Sequence, residues 1–319
     1  MAGKRALLTG AAGFIGSTLC RRLLVDGFEV HALLRSTARA WRIAAILPHL
    51  RVHEVDARDE ERLCQVVREV RPEVVYHLAT HGAYPFETDA DAIIQTNILG
   101  TWNLLKALGP IDYEVFVNTG SSSEYGFKQY AMRETDLLEP NSYYAAAKCA
   151  QSLLCQHVAR TDNRPINTLR LFSAYGAYEE PTRLVPTLIR RCLAGQPLDL
   201  VSPDVARDFV YVDDMVDAYL RLDPLSKLSG EVINVGSGIQ HTIRDVVEVV
   251  LKETGASVEC RWGAVPHRTW DTSTWVADCT KSRRLLGWRA TTSLADGLAK
   301  TVQWMRSQGA VRRSSDLRA

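Results

Sequence analysis

Two patterns of hydrophobic and polar positions alternate along the first half of the chain. Short continuous apolar runs, typical of strands buried on both faces, lie at 4–10, 28–35, 74–79 and 113–117. Between them lie longer segments whose apolar residues recur every three to four positions, as on one face of a helix. This alternation of buried strands and amphipathic helices predicts an α/β protein.

A glycine motif stands where the first strand meets the first helix. The turn reads Gly10-Ala-Ala-Gly13-Phe-Ile-Gly16. In this context the first glycine allows a tight turn, the second lets backbone N–H groups approach a pyrophosphate, and the third lets the helix pack on the strand. The helix N-terminus adds positive potential for phosphates. We predict a dinucleotide site here, with Phe14 and Ile15 also in contact with the cofactor.

The end of the second strand bears on which nicotinamide cofactor is preferred. An Asp or Glu there would bind the adenosine 2′-hydroxyl of NAD. The strand ends instead at Leu34, followed by Arg35 and Ser36, and a guanidinium suits a 2′-phosphate. We therefore predict NADP(H), with NAD(H) as the alternative if Arg35 only stacks on adenine. After the third strand we expect Asp56 and Ala57 at the adenine edge, a solvated loop acid being the competing interpretation of Asp56.

The loop after the fourth strand should border the nicotinamide, since strand carboxyl ends face the ligand in a doubly wound sheet. We expect Leu78 and Ala79 beside the cofactor. His81 and Tyr84, further along the loop, are candidate substrate contacts.

Two polar residues interrupt apolar segments in this region. His77 lies within the fourth strand and is interpreted as structural. Asn97 lies in an amphipathic helix, where a buried amide needs hydrogen-bond partners. It is a candidate cofactor contact, and the alternative is that it braces the sheet.

Tyr144 and Lys148 lie four residues apart at the start of a segment rich in helix formers. On a helix this spacing projects both side chains from one face. A nearby cation lowers the pKa of a phenol from about 10, so that it can take a proton from an alcohol or return one to a carbonyl. Upstream, three hydroxyls, Ser121, Ser122 and Ser123, follow an apolar run. The alternative, an ordinary amphipathic helix, is weakened by the upstream nucleotide motif.

These motifs, in this order, resemble the extended short-chain dehydrogenase/reductases, and more narrowly their nucleotide-sugar epimerase/dehydratase/reductase group. The resemblance covers roughly residues 5–305. It implies a Rossmann-type doubly wound parallel sheet of about seven strands, a smaller C-terminal substrate-binding region, and hydride exchange with a sugar carbon. It also implies that Tyr144 is the acid/base and that Lys148 binds the nicotinamide ribose and lowers the tyrosine pKa. Ser121 would orient the sugar oxygen, with Ser122 as a further catalytic candidate.

Segments of the second half match the same family. The stretch INTLRLFSAYG resembles its substrate-facing strand and loop, although Ser173 stands where Asn is usual. In ARDFVYVDD, Arg207 would bind the substrate diphosphate, and Arg268 corresponds to a second diphosphate arginine. Each arginine can bind two phosphate oxygens, and surface charge is the alternative, above all for Arg268. We expect Ser123 and Ser173 to contact the sugar nucleotide as well.

The serine run limits which reaction of the family is expected. Dehydratase relatives carry an acid pair where this chain has Ser122 and Ser123, and Glu124 follows at a place that is usually apolar, so a 4,6-dehydratase is not predicted. Because Arg35 favours NADP, we predict NADPH-dependent reduction of a nucleotide-linked 4-keto-(6-deoxy)hexose at C4. A nucleotide-sugar 4-epimerase with tightly bound NAD is the alternative. An NADP-binding protein without catalysis ranks third, since this chain keeps both Tyr144 and Lys148.

Composition sets further expectations. The 319 residues are 46% hydrophobic and 24% charged, as in an ordinary globular protein, and a net charge of +1 predicts no nucleic-acid partner. No apolar run approaches the roughly 20 residues of a membrane span. Seven scattered cysteines without metal-ligand spacing predict free thiols, no bound metal and a cytoplasmic location.

The domain organisation follows from the placement of the motifs. We expect residues 1–170, with segments from about 205–240 returning to them, to form the NAD(P)-binding domain. Residues 171–307 are expected to be mainly substrate-binding and 308–319 to be a flexible tail. The family resemblance implies a homodimer paired through the helices that contain Asn97 and Tyr144.

Overall fold

The computed structural model describes residues 3–84, 86–266 and 271–316. Its strands are β1 (Arg5–Thr9), β2 (Glu29–Leu34), β3 (Arg51–Glu54), β4 (Val74–His77), β5 (Val115–Ser121), β6 (Ile166–Leu171), β7 (Ser173–Tyr175), β8 (Leu198–Leu200), β9 (Ala206–Arg207), β10 (Phe209–Tyr211), β11 (Val232–Val235), β12 (His241–Thr242) and β13 (Cys260–Trp262). Its α-helices are α1 (Phe14–Val25), α2 (Glu60–Val70), α3 (Ala90–Ile94), α4 (Gly100–Leu108), α5 (Tyr143–Thr161), α6 (Leu184–Leu193), α7 (Val212–Tyr219), α8 (Leu222–Ser226), α9 (Ile243–Thr254), α10 (Thr280–Leu286) and α11 (Leu294–Asp316). A π-helical turn, Gln95–Leu99, joins α3 to α4, and 3-10 turns span Thr37–Arg39, Trp41–His49 and Ser122–Tyr125.

Seven strands form the main sheet, in the order β11-β6-β5-β4-β1-β2-β3, and every pair is parallel. The predicted Rossmann-type doubly wound sheet is thereby confirmed. The chain runs outward from β1 to β3, returns to the middle at β4 and continues to β11. The strand order therefore reverses between β1 and β4, and ligands of such sheets bind at the carboxyl ends of the strands at this reversal.

Helices cover both faces of this sheet, which explains why its central strands are largely buried. Every residue of β6 is buried, including its polar ones. Leu19 and Leu23 of α1 and Met215 of α7 lie in the core on one face. Leu63 of α2 and Leu104 of α4 lie in the core on the other face. Parallel sheets are generally buried in this way because crossover helices return over their faces.

A separate apolar core lies in the C-terminal half, where residues of α6, α9 and α11 pack together with residues of β8 and β10. Three two-stranded sheets, β10-β7, β12-β9 and β13-β8, border this core. The strand β11, from the segment that was expected to return, joins the main sheet beside β6. The last helix, α11, continues to Asp316, through most of the segment assigned to a tail.

The described residues include neither a membrane-spanning helix nor a cluster of metal ligands. No helix among the described residues is both long and apolar enough to cross a membrane. Within the same residues, no three His, Cys, Asp or Glu side chains come together in a group that could hold a metal ion. All seven cysteines are unpaired.

Candidate active site

The glycine turn lies at the reversal of strand order and contacts the end of β4. Gly10 has φ +70°, and a Cβ there would lie 2.5 Å from the carbonyl carbon of Leu78. A Cβ on Gly16 would lie 2.2 Å from the Gly10 carbonyl oxygen. Helix α1 begins at Phe14, its N-cap Gly13 makes no side-chain cap hydrogen bond, and its first turn has no acidic residue. Backbone packed this closely, next to an uncapped helix N-terminus, fits a diphosphate.

An exposed cation directly follows β2, and the nearby carboxylate of Glu54, on β3, accepts from Thr37. Arg35 and Ser36 are both exposed, and the Ser36 hydroxyl caps the following 3-10 turn. Asp56, expected at the adenine edge, is bound at both oxygens by Arg58, at 2.6 Å from Nη2 and 3.0 Å from Nε. The hydrogen bond from Arg58 holds the pKa of Asp56 below its usual value. The Asp56 carboxylate is therefore already paired with Arg58, and an adenine could bind it only alongside that arginine. The adjoining Ala57 is half-buried.

A buried histidine joins the ends of β1 and β4, as its structural interpretation predicted. His77 Nδ1 is 2.7 Å from Thr9 Oγ1, and Nε2 is 2.8 Å from Thr101 Oγ1. The Thr101 hydroxyl donates to the Asn97 carbonyl, so it must accept from His77 Nε2–H. Nδ1 then accepts from Thr9, whose oxygen also accepts the Ala79 N–H. Burial lowers the pKa of His77 to about 3, which keeps this neutral tautomer in place.

Asn97 fixes the loop that follows β4. It is fully buried in the π-helical turn, and its amide accepts from the His81 N–H and donates to the His81 carbonyl, each at 2.8 Å. The imidazole of His81 lies 3.2 Å from Glu87. A Cβ on Gly82 would lie 3.4 Å from the Cβ of Tyr144, so this loop packs against the tyrosine. Asn97 therefore acts on the site through the loop, as a brace.

The serine run forms a 3-10 turn that is held by a buried ion pair. Glu124 Oε1 accepts the Ser121 N–H at 2.7 Å, and Ser121 Oγ accepts the Ser123 N–H at 3.2 Å. Glu124 is completely buried, and its Oε2 accepts from Arg170 Nη2 at 2.7 Å and from Nε at 3.1 Å. The Arg170 guanidinium lies 4.4 Å from the ring centre of Tyr125. Glu124, at a position where an apolar residue was expected, therefore shapes the turn that carries Ser121.

Helix α5 presents the predicted tyrosine and lysine one turn apart. Ser142 caps the helix by accepting the Ala145 N–H, so Tyr144 falls in the first turn. Lys148 is buried one turn later, and its ammonium donates to the Thr119 carbonyl at 2.8 Å and to Gln151 Oε1 at 2.9 Å. The lysine therefore lies between α5 and the end of β5.

The pKa of Tyr144 differs from the prediction. Burial raises it to about 12, and a hydrogen bond with Ser121 opposes the rise. Burial dominates this pKa, and the Lys148 ammonium is hydrogen-bonded to Thr119 and Gln151, so the lowering of the tyrosine pKa by Lys148 stays a prediction. Burial lowers the pKa of Lys148 to about 8, against the opposing effect of the Glu124 carboxylate. The phenol and its serine partner are nevertheless brought together as expected.

Ser122 points away from Tyr144's partner and towards the C-terminal half. Its Oγ accepts from Trp275 Nε1 at 3.1 Å. Arg207 lies over the face of this tryptophan, with its guanidinium carbon 5.4 Å from the ring centre and Nη2 3.3 Å from Asp271 Oδ1. The predicted Arg268 lies outside the described residues.

The segment after β7 brings further charges to the site. The charge of Arg183 opposes the rise that burial causes in the pKa of Tyr144. Burial also raises the pKa of Tyr84. Arg183 is 3.8 Å from Glu179, a buried carboxyl whose pKa is raised to about 8 by burial. Ser173, the first residue of β7, is half-buried and donates its N–H to the Asp208 carbonyl at 3.0 Å.

Sequence reasoning missed three residues of this site. Gln151, a partner of the Lys148 ammonium, lies three positions further along the same helix, so helical spacing could have identified it. Arg183 and Trp275 come from distant segments, and no local pattern in the sequence relates them to the serine turn or to α5.

Comparison with known proteins agrees with this geometry. The model of the NAD dependent epimerase/dehydratase family matches residues 6–236. A UDP-glucose 4-epimerase of Mycolicibacterium smegmatis is 32% identical, over 95% of this chain and 99% of its own. A dTDP-glucose 4,6-dehydratase of Streptomyces niveus is 30% identical, over 96% and 94%. The structure of a UDP-glucuronic acid 4-epimerase of Bacillus cereus, in complex with UDP-glucuronic acid and NAD, superposes with a TM-score of 0.85 at 28% identity, covering 95% of this chain and 99% of that one.

Proposed function

The chain belongs to the NAD-dependent epimerase/dehydratase family, and from that premise we propose that it is a nucleotide-sugar 4-epimerase that retains NAD. The observation that carries the proposal is the group formed by Tyr144, its hydrogen-bond partner Ser121 and the buried Lys148, with serines where a dehydratase would need acids. The similarity to 4-epimerases over 95% of the chain supports this reaction over the ketoreduction that the sequence favoured.

The residues present suit a nicotinamide dinucleotide. The turn from Gly10 to Gly16 and the start of α1 would hold the diphosphate, and Lys148 would bind the nicotinamide ribose. A bound dinucleotide supplies a reversible hydride acceptor. Because an adjacent positive charge favours a phenolate, the oxidised, cationic cofactor is expected to lower the pKa of Tyr144 from its value of about 12.

The protein's own groups then handle the proton. Tyr144 would take the proton of the sugar 4-hydroxyl as the C4 hydride leaves, and would return it to the C4 oxygen of the keto sugar. Ser121, which is hydrogen-bonded to Tyr144, would orient that oxygen. Inversion requires the hydride to return to the opposite face of the keto sugar. Arg207 would hold the diphosphate while the sugar turns.

A second candidate, an NADPH-dependent 4-ketoreductase, is favoured by one observation. Arg35 is exposed directly after β2, at a sequence position where an Asp or Glu would bind a 2′-hydroxyl. A reductase would exchange its cofactor at every turnover, whereas an epimerase regenerates it.

One experiment separates the two functions. The purified protein is denatured, released nicotinamide is identified by chromatography, and native protein is assayed with UDP-glucose, UDP-glucuronic acid and dTDP-linked 4-keto-6-deoxyglucose. We expect bound NAD and the C4 epimer of a UDP sugar without net change in nicotinamide absorbance. Stoichiometric loss of NADPH with the keto sugar would establish the reductase instead, and an Arg35→Leu variant should then lose its preference for NADPH.

We also propose that the chain forms a homodimer through α4 and α5. Three large apolar side chains are exposed on this face. They are Leu99 at the end of the π-helical turn (45% exposed), Trp102 on α4 (40%) and Leu153 on α5 (55%). Large apolar side chains exposed together on neighbouring helices favour burial against a second copy.

A further inference from the structure

The segment from Asp271 to Ala277 is attached to the strand that carries Arg207. The Ala277 N–H donates to Asp208 Oδ2 at 3.0 Å, and Asp208 directly follows Arg207. The Trp275 N–H donates to Gln240 Oε1 at 2.8 Å. The backbone on both sides of the Trp275 indole is therefore fixed relative to the expected diphosphate-binding arginine.

The indole of Trp275 extends from this segment to the serine turn. It is 7% exposed, and its Nε1–H donates to Ser122 Oγ, 153 residues away in sequence. The face of the ring contacts the guanidinium of Arg207. Ser122 is the next residue in the chain after Ser121, whose side chain is hydrogen-bonded to Tyr144. The ring thus spans the gap between the expected diphosphate end and the reacting end of the site.

We propose that Trp275 is a positioning residue that fixes the serine turn relative to Arg207, so that a sugar held by its diphosphate reaches Ser121 and Tyr144. The two contacts of the ring have separate effects. The indole N–H orients the turn and affects turnover, whereas the ring face supports Arg207 and affects nucleotide affinity. Only the expected effect on turnover rests on the proposed function; the expected effect on nucleotide affinity does not. We call these the turnover arm and the binding arm of the inference.

Two substitutions separate these effects. Trp275→Phe keeps a ring beneath Arg207 and removes the N–H, so kcat should fall roughly 3- to 10-fold, the kinetic equivalent of one buried hydrogen bond. The dissociation constant for UDP, measured by calorimetry, should stay within about twofold. Ser122→Ala should lower kcat equally, and the double variant should lose no more than either single one, because both changes remove the same bond. Trp275→Leu should also weaken UDP binding by roughly fivefold or more, since the guanidinium loses its aromatic support.

Trp288→Phe is the matched control. Its indole is also buried and donates to a backbone carbonyl, that of Asp214, at 3.0 Å. This control should lower the melting temperature about as much as Trp275→Phe does, with kcat and UDP affinity unchanged. An unchanged kcat in Trp275→Phe, or losses that multiply in the double variant with Ser122→Ala, would overturn the turnover arm.

The binding arm does not depend on the reaction. If the wild-type protein converts none of the sugars tested, the proposed 4-epimerase is wrong, and UDP calorimetry still decides the role of the ring. Trp275→Leu binding UDP as tightly as wild type, or a wild type that binds neither UDP nor dTDP, would then overturn the inference.

Discussion

Replacing Glu124 by Gln tests the buried ion pair beneath the serine turn. The amide oxygen can still accept the Ser121 N–H, but the amide nitrogen faces the donors of Arg170. Two charge-assisted hydrogen bonds, at 2.7 and 3.1 Å, are lost, and the guanidinium remains buried without its counter-ion. At about 1.5–3 kcal/mol for each bond to a charged group, the two bonds together contribute about 3–6 kcal/mol, a range that includes the cost of about 3–5 kcal/mol for removing one partner of a buried pair. Urea unfolding at pH 7, followed by circular dichroism, measures it.

Removing both charges should cost much less. In a Glu124→Val/Arg170→Leu double variant no charge is left uncompensated, and such replacements are often close to neutral. The Ser121 N–H loses its acceptor, so we expect a net loss of about 1–2 kcal/mol. A Glu124→Gln variant that loses less than about 1 kcal/mol, or a double variant that loses the sum of the single ones, would refute the pairing argument.

The same double variant should change the pH dependence of catalysis. The Glu124 carboxylate is among the groups that raise the pKa of Tyr144 and that of Lys148. Without that charge the phenolate is favoured, so the rising limb of kcat/KM against pH should move to lower pH. Arg183, which lowers the pKa of Tyr144, and Tyr84, which raises it, stay in place in this variant. An unmoved limb would mean that Glu124 acts on the turn's geometry alone.

Three further predictions concern other parts of the molecule. Tyr144→Phe should lower kcat by about 10²- to 10⁴-fold and leave UDP affinity unchanged, and a loss below tenfold would contradict its role as acid/base. The folded pKa of His77 is about 3 against 6.5 unfolded, so its contribution to stability is complete above pH 6.5 and is lost on acidification towards pH 3. Between pH 7 and pH 5 the free energy of unfolding should therefore fall by about 2 kcal/mol less in His77→Asn than in wild type, as measured by urea unfolding. The same fall in both proteins would contradict this. Trp102→Arg should convert the dimer to a monomer in sedimentation, with Leu137→Arg, at a residue 74% exposed on the connector before α5, as a control that leaves the dimer intact.

The fold was predictable because its signals are local. The strands are continuous apolar runs, and the glycine turn is marked by the residues that allow close backbone contact. A Cβ on Gly10 or Gly16 would fall within 2.5 Å of neighbouring backbone, so no other residue fits there. The spacing of Tyr144 and Lys148 on one helix also guarantees that they share a face. Such signals need only the geometry of one strand, turn or helix.

The electrostatics of the site could not be predicted from spacing, because burial and distant partners decide them. The pairing of Tyr144 with Lys148 was inferred from spacing, which does not reveal that the ammonium is bound by the Thr119 carbonyl on β5. Nor does spacing give the depth of the phenol, which raises its pKa to about 12. The contact between Trp275 and Ser122 likewise joins segments whose proximity depends on the assembled C-terminal half.

The ion pair beneath the serine turn is an intermediate case, because sheet order makes it derivable. Arg170 interrupts an apolar strand, and Glu124 stands where an apolar residue is usual. Taken singly, each would be an unfavourable buried charge. In the sheet, β5 and β6 are neighbours, and Gly120 pairs with Arg170 in register. A Cβ on Gly120 would lie 2.8 Å from Glu124 Oε1, so the glycine leaves the space that the carboxylate fills. One of these buried charges is on β6 and the other is in the turn that directly follows β5. Because they are stable only together, the order of the strands, once known, predicts the pair and the support that it gives to Ser121.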